Sequence, residues 1–345
     1  MTDNTAHAPT TGDADTIADA FGPSHNAFSS GRRFSSGRRF ILERPPGIPA
    51  VWGSGDRVAW AEGEALMIAG PQGVGKTTLA GQLVRGLLGV QDHVLGLPVR
   101  PCERVLYLAM DRPRQISRAL GRQFTDDDGD ALERLTVWEG PPPHDLARYT
   151  HTLTEMAEWA GADAVIVDSL KDAALGLSED EVGAGWNRAV QTLLGTGRNI
   201  AVLHHNKKTG GTGTAPTIDT VFGSTWLTSG TGSVFMLTGS PGDAVVELRH
   251  VKQPAAEIGP HKLFHDQVAG TITVRDAVDL VAAAASSGGL TVRAAAALIH
   301  GTDNPDRAAV EKTRRRLTQL VKDGALVGPG GAAGVTALYC AVGAS

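Results

Sequence analysis

The chain has 345 residues, of which 41% are hydrophobic and 20% charged, which is enough for one large α/β domain and a smaller second one. A formal net charge of −5 excludes a wholesale polycation, although a local nucleic-acid groove remains compatible with it. Two cysteines, Cys102 and Cys340, exclude a disulfide framework and a four-thiolate zinc site.

The sequence predicts a cytoplasmic protein without a membrane contact. The first thirty residues are polar and contain no Lys or Arg, which is unlike a secretory signal. The longest uncharged stretch, residues 324–345, contains Pro329 and several glycines, so we expect no membrane helix there. The low cysteine count suits a reducing compartment.

Residues 1–42 are rich in Thr, Ser, Gly and Asp and show no sustained apolar period, so we expect a disordered tail. The tail contains a tandem repeat, in which residues 28–34 are followed by a near-copy at residues 35–40. An alternative interpretation is a basic arm with aromatic residues that touches nucleic acid or a partner.

Residues 43–275 alternate continuous apolar runs with helical stretches, which predicts a doubly wound, mostly parallel sheet buried on both faces. The expected strands are 65–69, 104–110, 164–167, 199–203, 233–237 and 244–248. The expected helices are 77–88, 114–124, 145–160 and 179–194.

After an Ala/Ser/Gly-rich segment, 276–289, which we interpret as a linker, residues 290–345 have the pattern of a winged helix-turn-helix. Two helices, 291–300 and 306–323, precede a glycine-rich hairpin. The second helix carries cations that could enter a major groove; they are Lys312, Arg314, Arg315 and Arg316. The alternative is a solvated face on a protein–protein module.

A phosphate loop is the strongest motif in the chain, because G-x-x-x-x-G-K-[ST] lies between a predicted strand and a predicted helix. Its residues are Gly70, Pro71, Gln72, Gly73, Val74, Gly75, Lys76, Thr77 and Thr78. The glycines allow the backbone amides to point inward, and the helix start adds partial positive charge. We expect Lys76 to contact the β- and γ-phosphates of ATP and Thr77 to ligate Mg²⁺.

Two acidic residues end predicted strands. Asp168 ends residues 164–168, where a carboxylate could hold the Mg²⁺ shell through water or Thr77. Asp111 follows the strand between the two motifs, and it is a candidate for orienting the attacking water. A pairing partner for Arg112 or Arg114 is the alternative role for Asp111.

This acid-tipped strand between the phosphate loop and Asp168 resembles the RecA-like P-loop ATPases, which include hexameric helicases of the RepA and DnaB type. The resemblance covers about residues 50–270. It implies that the strand at 200–206 senses the γ-phosphate through its polar tip, His204 or His205. Adjacent strand residues point to opposite faces, so the two cannot easily share one metal ion, and packing is the alternative role. The family usually has Glu where Asp111 stands.

Two further segments carry the resemblance. Residues 207–216 stand in the place of a mobile DNA-binding loop, so Lys207 and Lys208 are expected to grip single-stranded backbone, unless they are simply solvated. Residues 248–253 resemble the strand whose cations reach the neighbouring subunit's nucleotide, which implies a catalytic role for Lys252 or Arg249. Strand alternation favours Lys252, with a solvated strand end as the alternative.

The combined expectation is a Mg²⁺-ATP-dependent motor on single-stranded DNA, a homo-oligomeric and preferably hexameric replicative helicase. Two alternatives remain open. One is a RecA-like filament protein, and the other is a regulatory switch in which ATP controls DNA binding and hydrolysis is slow.

Overall fold

The computed structural model describes residues 36–206, 217–275, 280–300, 304–322, 324–328 and 338–342. The chain divides into two compact units, residues 1–273 and 274–345. This division falls two residues before the predicted end of the ATPase domain at residue 275.

The first unit alternates strands and helices as its apolar runs predict. Its strands are β1 (Ala50–Ser54), β2 (Arg57–Ala61), β3 (Ala65–Ala69), β4 (His93–Val94), β5 (Leu97–Pro98), β6 (Val105–Ala109), β7 (Leu135–Glu139), β8 (Ala164–Asp168), β9 (Asn199–His204), β10 (Ser233–Thr238), β11 (Val245–Lys252), β12 (His261–Asp266) and β13 (Thr271–Val274). Its helices are α1 (Gly37–Leu42), α2 (Lys76–Leu87), α3 (Pro113–Leu120), α4 (Gly129–Leu132), α5 (Thr152–Trp159), α6 (Leu170–Ala173), α7 (Asp180–Leu194) and α8 (Trp226–Ser229).

Nine of these strands form one sheet in the order β13-β12-β11-β10-β3-β9-β8-β6-β7. The six strands from β10 to β7 pair in parallel, which confirms the prediction of a mostly parallel sheet. Every residue of β3, β6 and β8 is buried, because helices cover both faces of the sheet centre. The parallel arrangement brings the carboxyl ends of β3, β6, β8 and β9 to one edge of the sheet.

The antiparallel side of the sheet extends further than predicted. β11 pairs antiparallel with β10 and with β12, and the sheet continues to β13. Strand β12 was not predicted because it has no continuous apolar run. Its buried residues, Leu263 and His265, alternate with exposed ones. The edge strand β7 was missed for a related reason, because its side chains are half-buried or exposed.

Two predicted segments differ from the structure near the front of the chain. The helix expected over 145–160 spans only Thr152–Trp159, because the Asp145 carboxylate accepts bonds from the amides of Ala147 and Arg148 and holds that stretch as a turn. The tail expected over 1–42 ends in α1, whose Phe40 is 78% exposed. Residues 1–35 lie outside the described part.

The second unit contains α9 (Leu280–Ser286), α10 (Val292–His300), α11 (Arg307–Lys322), β14 (Leu326–Val327) and β15 (Cys340–Ala341). The two strands pair antiparallel, and a separate core fills the space between the elements. The linker prediction for 276–289 was wrong in part. Helix α9 lies within it, and its buried Leu280 and Ala284, four residues apart, join that core.

No helix in the described part of the chain has the length and apolar character needed to cross a membrane.

The core of the second unit gives a stability prediction. Leu317 is fully buried in α11, so Leu317→Ala should destabilise this unit by about 2–5 kcal/mol through lost burial and a residual cavity. Leu298 in α10 is 46% exposed and serves as the control, with an expected cost within about 0.5 kcal/mol for Leu298→Ala. Calorimetric unfolding of both variants checks the difference, and equal costs would contradict this core.

Candidate nucleotide site

The phosphate loop occupies the turn between β3 and α2. The amide of Gly70 donates to the His204 carbonyl (3.2 Å), which joins the loop to the end of β9. Gly75 stands before the first turn of α2 with φ 103°, and a Cβ there would come within 2.6 Å of the Ile272 side chain. The positive φ therefore favours glycine at this position, and a Cβ would in addition require the end of the Ile272 side chain to shift. The loop opens onto a helix N-terminus, which favours anions.

Lys76 lies inside this loop. Its Nζ donates to the carbonyls of Gly70 (2.8 Å) and Pro71 (2.7 Å), and only 8% of the residue is exposed. Burial lowers the pKa of Lys76 to about 8, although the nearby Asp168 carboxylate acts in the opposite direction. The ammonium group is thus held by neutral acceptors at the mouth of the loop, where it can turn to phosphate oxygens.

Asp168 joins three elements at one oxygen. Its Oδ2 accepts hydrogen bonds from Thr77 Oγ1 (3.0 Å) at the start of α2 and from Tyr107 Oη (2.8 Å) in β6. Burial raises the pKa of Asp168, and the bonds from Tyr107 and Thr77 counter that effect. The pKa of fully buried Tyr107 lies well above its ordinary value, so this side chain is a hydrogen-bond donor.

A hydroxyl and a carboxylate at hydrogen-bonding distance are hard oxygen donors of the kind that Mg²⁺ prefers. The Thr77 and Asp168 side chains therefore fit a magnesium ion that a nucleotide would bring with it. Sequence reasoning missed Tyr107. The available signal was a tyrosine in the middle of an otherwise apolar strand, one strand away from the acid.

Asp111 follows β6 at the same edge of the sheet. Its Oδ2 lies 3.3 Å from Lys171 Nζ and 3.4 Å from Arg112 Nε. The pairing with Arg112 that we considered as an alternative is therefore present. It does not displace Asp111 from the site, because the residue lines the same cavity as Lys76 and Asp168. Lys171, the first-turn cation of α6, was not predicted.

A cavity of about 290 Å³ combines these groups. From the phosphate loop and the strand ends it is lined by Gln72, Gly73, Gly75, Lys76, Thr77, Thr78, Asp111, Asp168, Ser169 and His205. Its other wall, which the sequence did not predict, consists of Arg112, Gln115, Ile116, Ala119, Arg122, His265 and Gln267. The cavity therefore extends from the phosphate loop along α3 to the end of β12.

The β12 end contacts the phosphate-loop helix directly. His265 Nε2 lies 3.2 Å from Thr78 Oγ1, and the Gln267 carbonyl accepts from Arg122 (3.2 Å). The amide of Ile272 in β13 donates to Gln82 Oε1 in α2 (2.8 Å). These contacts link residues that are 145 to 190 positions apart in the sequence, which no local motif indicates.

The two histidines at the end of β9 separate as strand geometry requires. His204 is fully buried, its Nε2 lies 2.6 Å from the Phe222 carbonyl, and burial lowers its pKa to about 4. Only His205 lines the cavity, and burial together with Lys76 lowers its pKa to about 4. The structure therefore places His205 in the cavity lining, whereas His204 packs beside Phe222 outside it. Of the two histidines, His205 is the one for which a γ-phosphate contact stays a prediction.

Lys252 lies away from the phosphate loop of its own chain. Its Nζ donates to the carbonyls of Thr228 (2.9 Å) and Ser229 (3.0 Å), near Glu64, at the edge where β3 begins. Arg249 pairs with Glu247 in its own strand at 2.6 Å. Neither cation reaches the cavity of this chain.

Strand β11 does not alternate regularly between Arg249 and Lys252, so the expected preference for Lys252 does not follow from the strand. Val234 of β10 pairs with Lys252, but the next residue, Phe235, pairs with His250. This irregularity places one extra residue, Val251, in β11, and such a bulge interrupts the alternation of faces. A role in a neighbouring subunit stays a prediction for both cations.

The predicted DNA contacts are only partly described. Lys207 and Lys208 lie outside the described residues. On α11, Arg314 and Arg315 are exposed, and Arg314 Nε lies 3.4 Å from Glu311 one turn earlier. Their nucleic-acid role stays a prediction.

A glycine loop at a helix start, beside a buried carboxylate at the end of a parallel strand, defines the P-loop nucleoside triphosphatases. A protein-family model described as an AAA domain matches residues 41–211, and this segment is a P-loop ATPase domain. It contains the phosphate loop, Asp111, Asp168 and His205, but not β10–β13 or the second unit. No curated protein matches the chain.

The shared oxygen of Asp168 gives a prediction for Tyr107. Tyr107→Phe keeps the ring but removes one donor from a buried carboxylate, an interaction worth about 1.5–3 kcal/mol. We expect about tenfold weaker Mn²⁺ binding to the ADP complex, measured by electron paramagnetic resonance. Tyr149→Phe, at a 58% exposed position, is the control. If Tyr107→Phe binds Mn²⁺ with unchanged affinity, a contribution of Tyr107 to metal binding is excluded.

Proposed function

We propose that this protein is a RecA-like, Mg²⁺-dependent ATPase that moves on single-stranded DNA as a ring-forming replicative helicase. The observation that carries the ATPase chemistry is the placement of Lys76, Thr77, Asp168 and Asp111 around one cavity. The motor function rests on how the end of β9 connects this cavity to the segment at 207–216.

Each side chain has a distinct part in the proposed hydrolysis. The loop amides and Lys76 hold the β- and γ-phosphates, and Thr77 with Asp168 holds the cation shell. Bound Mg²⁺ would neutralise charge that develops on the phosphates. Asp111 orients a water toward the γ-phosphate, while neutral His205 can form a hydrogen bond without adding charge. The protein supplies positioning and electrostatics and forms no covalent intermediate.

The end of β9 supports a link between hydrolysis and DNA binding. His205 lines the cavity, and the next residue, Asn206, forms an isolated bridge with Val221. In the sequence, the segment that carries Lys207 and Lys208 therefore lies between the two residues of this bridge. A shift of His205 on loss of the γ-phosphate would be transmitted directly to the start of that segment.

The position of Lys252 supports an assembly. Transition-state charge on a phosphoryl group is commonly stabilised by an additional cation, worth about 10³–10⁵ in rate. Lys252 points to the opposite edge of the sheet from the phosphate loop of its own chain, so a role in catalysis would require a neighbouring subunit. A hexameric ring is the arrangement we propose.

The second unit supports a DNA-binding appendage. Helices α10 and α11 followed by the β14–β15 pair have the element order of a winged helix-turn-helix. Arg314 and Arg315 are exposed on α11, the helix that would enter a major groove. We propose that this unit recruits the ATPase to duplex DNA.

A slow regulatory switch is the second candidate. The observation that favours it is the ion pairing of Asp111 with Lys171 and Arg112, combined with a side chain one methylene shorter than glutamate. Stimulation of ATPase by single-stranded DNA distinguishes the two, because a motor couples turnover to its track and a switch does not.

The ATPase assignment is tested at Lys76. Lys76→Ala removes the ammonium group that would contact the phosphates, and Lys76 is not part of the apolar core, so we expect ATPase activity below about a tenth of wild type with unchanged circular dichroism. Arg57→Ala, an exposed cation in β2, is the matched control and should retain full activity. Turnover of Lys76→Ala at more than that level would contradict the phosphate-loop role.

The DNA assignment is tested at the 207–216 segment. Replacing Lys207 and Lys208 by alanine should weaken binding to all single-stranded sequences. Each lost phosphate contact should reduce the slope of log K against log salt by about 0.7. The control replaces Arg57 and Arg100, two exposed cations. Fluorescence anisotropy over a salt series gives the slopes, and equal slopes in wild type and variant would exclude these lysines from the interface.

A further inference from the structure

We propose that Lys171 is a positioning residue for catalysis, which fixes the carboxylate of Asp111 so that its other oxygen can orient the attacking water. This inference rests on the proposed ATPase function and assigns a role within the same chain to a cation that the phosphate-loop and strand-end motifs do not include.

The geometry consists of two cations at one oxygen. Lys171 Nζ at 3.3 Å and Arg112 Nε at 3.4 Å both make their closest approach to Oδ2 of Asp111. Oδ1 is therefore the oxygen that they engage less. Asp111 lines the cavity that also contains Lys76 and Asp168, so an oxygen held in this way can face a water at the phosphate end.

Lys171 lies on the short helix α6, which directly follows β8, the strand that ends at Asp168. It lies three residues after Asp168, in the first turn of α6. Its Nζ is also 3.9 Å from Oδ1 of Asp172, whose Oδ2 accepts a bond from Ser169 Oγ (2.8 Å). The ammonium group thus lies between the carboxylates of Asp111 and Asp172.

The pair is too exposed to be explained by stability. The side chains of Lys171 and Asp111 are 38% and 30% exposed, and such pairs contribute little to folding. A geometric role fits better. A carboxylate that orients water must stay ionised and in place, and aspartate is one methylene shorter than glutamate, so it reaches the water in fewer orientations. Two cations on one oxygen restrict that freedom.

The experiment uses the full-length protein and a double-mutant cycle. Lys171→Met keeps the aliphatic stem and removes the charge, whereas Lys171→Arg keeps the charge. Asp111→Asn and the double variant Lys171→Met with Asp111→Asn complete the cycle. Arg100→Met is the matched control, since it breaks another exposed ion pair, to Glu62 at 2.9 Å, outside the cavity. ATPase kinetics and equilibrium binding of a fluorescent ADP are measured for each variant.

We expect Lys171→Met to lower kcat by about 10- to 100-fold, the range that small misplacement of a catalytic group produces, with ADP affinity within about twofold of wild type. Lys171→Arg should recover most of the loss, and Arg100→Met should show none. Because Lys171 acts through Asp111, the double variant should be no slower than Asp111→Asn alone.

Three results would overturn the proposal. If Lys171→Met keeps the wild-type kcat while Asp111→Asn is impaired, the positioning role of Lys171 is excluded and the ATPase assignment is unaffected. Multiplication of the two losses in the double variant would mean that Lys171 acts independently of Asp111. Normal turnover of Asp111→Asn would remove the water-orienting role from the proposed function, and the proposal for Lys171 would fail with it.

Discussion

The bond between Thr77 and Asp168 is the constraint on which the site depends, because it fixes the start of α2 to the end of β8. Tyr107 reaches the same oxygen from β6, so two parallel strands and the phosphate-loop helix meet at one buried carboxylate. Burying that charge is costly unless it accepts hydrogen bonds, and the two hydroxyl donors to Oδ2 offset part of the cost. The parallel register, in which Ala109 pairs with Asp168, brings Asp111 to the same edge.

The charged side chains around the cavity differ in how deeply they are buried. The carboxylate at the buried end belongs to Asp168, and Lys76 lies beside it. Asp111, Lys171 and Arg112 form a more exposed group, where water screens each interaction. Ligand binding would exclude some of this water and strengthen all of these interactions together. A buried end and a more exposed end therefore belong to a single cavity.

The parts of the site that could be predicted are those encoded locally. The phosphate loop is contiguous, and the acids end apolar runs, so both were found from the sequence. Tyr107 and Lys171 were missed because their roles arise from pairing between distant strands, and a half-exposed strand such as β12 has no local signature. The separation of His204 from His205 required the packing at Phe222, since alternation predicted opposite faces but not which one meets the cavity.

The hydrogen bond from Ile272 to Gln82 spans 190 residues of sequence and fastens β13 to the phosphate-loop helix. One end of the cavity is thus built by a contiguous motif, and the other by the β12–β13 hairpin, which lies outside the matched segment. The two ends of the cavity are formed by different segments of the chain, so substitutions can be made in one without altering the other. Changes in β12 and β13 can reshape the far wall, and with it the choice of ligand, while the machinery that grips phosphate is left untouched.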